Sequence, residues 1–476
     1  MGWNTTRRLI ELWTTRRNPL GSVHLLIIQN KPIFMSKKSE SASSRRKFLK
    51  TSGSAVAAGT ALSQIPIENV VHAAGSDTVS VALVGCGGRG SGAIAQIRNT
   101  RGNTRLVAVA DVNAKKAKDR VDGYKKQFND WVDVPEDRIF GGIDGYKHAI
   151  DSGADLVVIA TPPGFKPQQF EYAVKAGKHV FCEKPVASDA PGVRRVLAAT
   201  QEAKKKNLLI GIGLQRRHEE RYINNVKMLH DGAIGEINLM RVYWNGRGIW
   251  YRNREPGMTD MQFQCNNWYH FIWASGDQIC EQHIHNLDVG NWVMNDYPIM
   301  ANGMGGGEER MGGDRSKSQI FDHTFVEYTY ASGHKMYSQG RHLGGNKTFS
   351  HVAEYAHGSK GTCKLASAIV PNKGEPILMK GKGGGHQQEQ TDLIEALMKG
   401  EIYNEGEYGA KATFTAILGR EACYSAQVVK WDDLLKNGKD YCPGIDNWTV
   451  DTPPPAVKGE DGKYPVPQPG VWNPFA

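Results

Sequence analysis

The chain has 476 residues, a formal charge of +10, 40% hydrophobic residues and seven cysteines. That length is enough for two packed domains. The cysteines, at positions 86, 182, 265, 280, 363, 423 and 442, include no C-x-x-C pair, so neither a disulfide framework nor a zinc site is implied. The positive charge is concentrated in the leader: residues 1–73 hold eleven Lys and Arg against three Glu, which leaves +2 for everything after them. A body so close to neutral offers no electrostatic case for a nucleic-acid partner.

In chain order, residues 1–34 fit neither a signal nor a domain, and Met35-Ser36-Lys37-Lys38 reads as the native start. Ser44-Arg45-Arg46-Lys47-Phe48-Leu49-Lys50 then resembles a twin-arginine export signal and fills the S-R-R-x-F-L-K pattern. The small-residue stretch after it is too short and too weakly apolar to span a bilayer, so no stable membrane anchor is expected. Val71-His72-Ala73 supplies a cleavage site, with Ala74 as the new N-terminus. Residues 35–74 are therefore read as a signal peptide. The export machinery is its partner, and the mature chain is expected in the periplasm or otherwise outside the cytoplasm. Twin-arginine substrates fold before export in the reducing cytoplasm, which suits seven scattered thiols.

From residue 77 to 213, short β-branched runs alternate with helical stretches. Strands are expected at 79–84, 105–110, 155–160, 179–182 and 208–212, and helices at 167–176 and 191–206, each opened by a proline. Such alternation implies a parallel, doubly wound sheet of the Rossmann kind, hence an α/β fold. The first strand closes in Val84-Gly85-Cys86-Gly87-Gly88-Arg89-Gly90, with Gly85, Gly87 and Gly90 at G-x-G-x-x-G spacing. The first glycine allows the tight turn, the second lets backbone approach a pyrophosphate, and the third lets the helix pack near the sheet. A helix starting near Ser91 would aim its free N–H groups at the phosphates. Asp111 ends the second strand 21 residues after Gly90, where a carboxylate accepts hydrogen bonds from an adenosine ribose and repels a 2′-phosphate. NAD is thus favoured over NADP; the alternative is a plain strand-end turn residue.

After Gly213 the texture changes to longer alternating runs at 237–244, 321–330 and 334–339, with Gly-rich connections. Residues 214–445 are read as an α+β domain with a large, mostly antiparallel sheet and helices on one face. Residues 303–313 hold six glycines and are expected to form a loop, with helices at 391–399 and 408–430 beyond. The tail, 446–476, is rich in Pro and Gly and should wrap over the surface.

Ala160-Thr161-Pro162-Pro163 falls at the carboxyl end of the third strand, and the fourth ends in Glu183-Lys184-Pro185 after Ala176-Gly177-Lys178-His179-Val180. Ligands bind at such strand ends. Together these residues resemble the Gfo/Idh/MocA oxidoreductase family, whose signature is the Glu-Lys-Pro triplet; the similarity continues through 211–217, 276–292, 404–410 and 416–422. The resemblance implies a second catalytic element at Glu281-Gln282-His283-Ile284-His285-Asn286-Leu287-Asp288, where Glu281 replaces the usual aspartate. On a helix, Glu281 and His285 share a face and Asp288 lies one turn on. A metal site from Glu281, His283 and His285 would need an extended strand, and none is expected. Many relatives carry histidine where Lys166 falls.

What the resemblance implies is hydride transfer between NAD and a secondary alcohol or hemiacetal carbon of a sugar or polyol; a dinucleotide fold joined to a folded-state export signal adds the expectation that the cofactor is retained. His285 is the expected base, Glu281 its orienting partner, and Lys184 the donor to the reacting hydroxyl. Gly85, Gly87, Arg89, Gly90, Asp111, Thr161, Pro162, Glu183 and Lys184 are expected to hold the cofactor. Arg216, Asp288 and Trp268 are expected at the substrate. The aromatic residues from Trp244 to Trp273 are either core or faces for sugar rings. Two alternatives stay open: an NAD-dependent glycoside hydrolase that oxidises transiently and eliminates, and a non-catalytic sugar-binding relative. A homo-oligomer is expected.

Overall fold

The computed structural model describes residues 78–307, 316–343 and 347–475. The twin-arginine run, the cleavage site and residues 1–34 lie outside the described residues. Chain order begins with β1 (Val79–Val84), α1 (Gly88–Arg98), β2 (Thr104–Ala110), α2 (Ala114–Phe128), β3 (Ile139–Phe140), α3 (Gly145–Asp151) and β4 (Leu156–Ile159). It continues with α4 (Lys166–Lys175), β5 (His179–Cys182), α5 (Ala190–Lys205) and β6 (Ile210–Ile212). The six strands are parallel in the order β3-β2-β1-β4-β5-β6, so the winding reverses between β1 and β4. Alternate residues of β1 enter different cores: Val79, Val81 and Leu83 on one face, Ala82 and Val84 on the other. Both faces are covered, as a parallel sheet requires.

Then follow α6 (Glu220–His230), β7 (Ile237–Gly246), α7 (Asp260–Asn266), α8 (Ile272–Ser275), α9 (Gln278–Glu281) and α10 (Ile284–Met294). Strands β8 (Met300–Gly306), β9 (His323–Thr329), β10 (Lys335–His342), β11 (His351–Gly358), β12 (Gly361–Lys364), β13 (Ala368–Pro371) and β14 (Ile377–Leu378) come next. The chain closes with α11 (Gly385–Lys399), α12 (Gly406–Ser425), β15 (Val429–Lys430) and α13 (Trp431–Asn437). The second sheet has nine strands, ordered β14-β13-β12-β11-β7-β10-β9-β8-β15. Its pairs are antiparallel except β7 with β10, and α10 and α12 cover one face. No helix among the described residues is long and apolar enough to cross a membrane.

The first sheet does not complete itself from residues 77–213. Leu393, Ile394 and Leu397 of α11 share a core with Val81, Leu83 and Phe181, and Asn404 bridges Ile210 in parallel. Several expected bounds need correction. Helix α1 begins at Gly88, not Ser91, straight out of the glycine turn. Residues 303–306 belong to strand β8 instead of a loop, because Gly303 and Gly305 lie against the β9 backbone where a Cβ would clash; 308–313 lie outside the described residues. Helix α11 starts at Gly385, in a glycine run that sequence propensity assigns to coil. Helix α12 stops at Ser425 because Ala426 turns left-handed (φ 55°), and Val429–Lys430 is a strand. Its interior is buried nearly all round, so no polar face marks where it ends.

Candidate active site

The glycine turn and the ends of β1, β2 and β4 line a cleft of about 820 Å³, open to solvent, with Gly85, Gly87, Arg89, Asp111, Thr161 and Pro162 on its walls. Its fit to a dinucleotide can be tested at the three glycines. Gly85 sits at φ +100°, and a Cβ there would lie 2.7 Å from the Ala160 carbonyl carbon. At Gly90 a Cβ would lie 2.1 Å from the Gly85 oxygen. At Gly87 a Cβ would meet nothing within 4 Å, so the bare backbone there faces open space. Gly87 also precedes α1 with no side-chain cap, leaving the first helical N–H groups for a ligand. These residues fit a pyrophosphate.

Against the glycine turn itself, Asp111 Oδ2 accepts from Cys86 N at 2.8 Å and from Lys116 Nζ at 3.0 Å, and Oδ1 accepts from Asn113 N at 3.1 Å. The carboxylate is held in place, and Lys116 stands beside it on the cleft wall. Tyr146, Phe165, Cys265 and Trp268 complete the lining. Trp268, expected at the substrate, lines this same cleft with the glycine turn and Thr161. Arg89 lines the cleft but also reaches Glu183, at 2.7 Å. Glu183 is buried in that ion pair and does not line the cleft, which corrects its expected cofactor contact. Behind it on α11, burial and then the Glu183 charge push the Glu389 carboxyl well above the usual carboxylate range.

Lys184 follows β5, whose neighbour β4 delivers Thr161, so the two sit side by side at the carboxyl edge of the sheet. Its ammonium donates to the backbone oxygen of Glu281 and lies 3.1 Å from Glu281 Oε1, with both side chains about nine-tenths buried. Lys166, at the start of α4, is fully enclosed and donates to the carbonyls of Lys184 (3.2 Å) and Pro185 (3.0 Å). Burial pushes its ammonium below the usual lysine range. It braces the triplet from behind.

The second element is not one helix. Helix α9 ends at Glu281 and α10 begins at Ile284, so the expected i, i+4 face is interrupted at Gln282 and His283. Glu281 accordingly bonds Lys184, and nothing joins it to His285; this corrects its expected orienting role. Burial pushes the Glu281 carboxyl up, against the pull of Lys184 and Lys166. His285 is buried, and its Nδ1 has no hydrogen-bond partner among the described residues. Burial first, then the charges of Lys184 and Arg216, hold its imidazole well below the usual histidine range. At neutral pH it is an uncharged base. Trp244 packs at 6.1 Å from its ring. His283 faces away, bonded to Ser338 Oγ at 2.7 Å and pushed down to about 3 by burial. No cluster of three metal-ligating side chains occurs among the described residues.

Asp288 is also corrected. It is fully buried in a bidentate pair with Arg217 (Nε–Oδ2 2.9 Å, Nη2–Oδ1 2.8 Å), and Arg217 lies over the Tyr408 and Trp292 rings. Arg216 is largely buried beside it and paired with Glu354, which also accepts from Asn286 at 2.5 Å and Tyr222 at 3.1 Å. Of the aromatic residues, Phe271 and Trp273 are core and Trp250 is exposed.

Comparison with known proteins bears on the domain that carries the glycine-lined cleft. Residues 79–213 match the Gfo/Idh/MocA oxidoreductase family, described as having an NAD-binding Rossmann fold. Inositol 2-dehydrogenase of Klebsiella pneumoniae is 28% identical over 225 residues, 46% of this chain and 55% of that protein. That of Rubrobacter xylanophilus is 29% identical over 221 residues, 45% of this chain and 57% of that protein. The chain thus spans about half the length of the curated relatives it matches. Apo scyllo-inositol dehydrogenase from Lactobacillus casei superposes with a TM-score of 0.57 at 20% identity, over 75% of this chain and 99% of that one. Aldose-aldose oxidoreductase from Caulobacter crescentus gives 0.57 at 20% identity, over 74% and 99%. At that identity the likeness is one of fold.

Proposed function

We propose that the chain is a nicotinamide-dinucleotide-dependent dehydrogenase acting on a secondary alcohol or hemiacetal carbon of a sugar or polyol. The observation that supports this reading is that β4 and β5 run side by side, so Thr161 on the cleft wall and Lys184, which does not itself line the cleft, follow neighbouring strand ends, and the charge of Lys184 is felt at His285. When bound, the nicotinamide ring supplies the hydride acceptor. Lys184 donates to the substrate oxygen, holding the hydroxyl and stabilising negative charge as it develops. His285 accepts the hydroxyl proton as the C–H bond breaks and the carbonyl forms; its lowered basicity keeps it free to do so at neutral pH. Glu281 positions Lys184, and Lys166 fixes the backbone that carries it.

We take NAD as the cofactor because Asp111 follows β2 on the cleft wall, the position from which a carboxylate accepts hydrogen bonds from an adenosine ribose. Lys116 offsets part of its repulsion toward a 2′-phosphate, so the preference is moderate. The twin-arginine leader supports export after folding. A dinucleotide protein outside the cytoplasm needs its cofactor retained, and a homo-oligomer is the expected assembly. The experiment is to incubate the purified chain, with its bound dinucleotide identified, with a panel of sugars and polyols. Oxidised sugar together with reduced nicotinamide supports the dehydrogenase. Glycoside cleavage with no net reduction would replace it with the hydrolytic reading, and dinucleotide binding with neither would leave a sugar-binding protein.

A further inference from the structure

We propose that residues 250–273, braced from outside by residues 448–464 of the C-terminal tail, form a roof over the dinucleotide cleft that slows release of the dinucleotide. The inference rests on the reading of that cleft as a dinucleotide site.

The roof's inner edge is Cys265 and Trp268, which face the glycine turn, Thr161 and Phe165 across the cleft. Within the roof, Asn267 bonds the Arg252 backbone at 2.8 and 2.9 Å, and Ile272 N donates to Gln319 at 3.0 Å. Residues 247–259 contain no helix or strand, and α7 has only seven residues. The tail adds a second set of anchors from outside. Thr259, the N-cap of α7, donates its hydroxyl to the Val450 carbonyl at 2.8 Å. Gln264 donates to the Ala456 carbonyl at 2.5 Å while accepting from Trp273 Nε1 at 2.7 Å, tying tail, α7 and α8 through one buried amide. Tyr464 meets Phe271 edge-on at 5.1 Å. Trp448 packs on Trp273 (5.5 Å) and on Phe165 (6.2 Å), itself a cleft wall. Trp448, Ala456 and Tyr464 are buried, whereas residues 457–463 between the last two are exposed. The tail therefore touches the body at anchor points.

Opening the roof requires Trp268 to move away from the cleft. That strains the Gln264 amide and the Phe271–Tyr464 and Trp273–Trp448 contacts together, so the tail raises the barrier to release without touching ligand.

The test uses the mature-length chain loaded with NADH, chased with excess NAD⁺ while nicotinamide fluorescence is followed. Tyr464→Ala should release NADH at least about tenfold faster, because loss of interface contacts acts mainly on dissociation. Tyr464→Phe, which keeps the ring against Phe271, should stay within about twofold of wild type. Thermal melting checks that each variant is folded. Should Tyr464→Ala fail to fold, Trp268→Ala, at the roof's inner edge, should show the same acceleration. Wild-type release rates in folded Tyr464→Ala or in Trp268→Ala would overturn the roof while leaving the dinucleotide reading intact. A wild-type chain that takes up no dinucleotide would overturn that reading and the roof with it.

Discussion

The partner of Glu281 decides how the reacting groups are organised, and a double-mutant cycle reads it directly. Glu281 Oε1 lies 3.1 Å from Lys184 Nζ, with both side chains about nine-tenths buried. At an effective dielectric near 20, two unit charges at that spacing attract by about 5 kcal/mol, before desolvation is set against it. Breaking a buried pair by removing one partner typically costs about 3–5 kcal/mol. Lys184 keeps its second bond, to the Glu281 backbone oxygen, so Glu281→Ala loosens the ammonium without freeing it. Losing an aligned donor outright costs about 10²–10³ in kcat, which is the expectation for Lys184→Ala. Glu281→Ala alone should therefore lose about 10–100-fold, less than the lysine it positions. Added to Lys184→Ala, it should cost less than about threefold more, because residues in contact couple strongly. Added to His285→Ala, it should still impair residual turnover. The assay is steady-state reduction of the nicotinamide with each single and double variant. A full Glu281→Ala effect in the Lys184→Ala background, with silence in the His285→Ala background, would restore Glu281 to His285 and refute the assignment.

Further outcomes follow from the same geometry. Gly87→Ala should melt like wild type, since its Cβ meets nothing within 4 Å, yet bind dinucleotide at least about tenfold more weakly in a fluorescence titration. Gly85→Ala should lower stability itself by about 1–3 kcal/mol, because its φ of +100° and the Ala160 backbone leave no place for a Cβ. Arg217→Met leaves Asp288 buried without its partner and should cost about 3–5 kcal/mol in urea unfolding, more than any change in substrate KM. His218, paired with Asp392 and Glu405, is raised to about 10 by those carboxylates acting against its burial. Its folded value exceeds the unfolded one, so its stabilisation is complete below pH 6.5 and is lost as pH rises toward 10, at about 1.4 kcal/mol per unit. His218→Asn should remove that slope from a stability–pH series.

The first sheet was legible because its strands are short apolar runs closed by glycines and prolines, and the G-x-G-x-x-G turn fixed both the crevice and the helix over it. What could not be read was long-range. That α11 completes the first domain depends on Leu393 and Ile394 meeting Leu83 and Phe181, both more than 200 positions earlier, and no local pattern announces it. The break between Glu281 and His285 was hidden because a helical period fits both halves; only the enclosing packing separates them. Lys184 and His285 were singled out by resemblance and not by any local pattern. Arg89 and Lys166 were noticed, but their bonds to Glu183 and to the Lys184 and Pro185 carbonyls had no local signal, and neither did the wall residues Tyr146 and Cys265. Trp268 was noticed for its aromaticity, but its place on the cleft wall depends on where residues 260–270 fold, which sequence does not say.

The most direct test of the central claim is a single-turnover experiment on chain loaded with one oxidised dinucleotide per cleft and mixed with the sugar or polyol it oxidises. The account predicts one equivalent of reduced nicotinamide in the wild type. It predicts a rate lower by about 10²–10³ in Lys184→Ala, with fluorescence showing the dinucleotide still bound. Reduction at the wild-type rate in Lys184→Ala would contradict it.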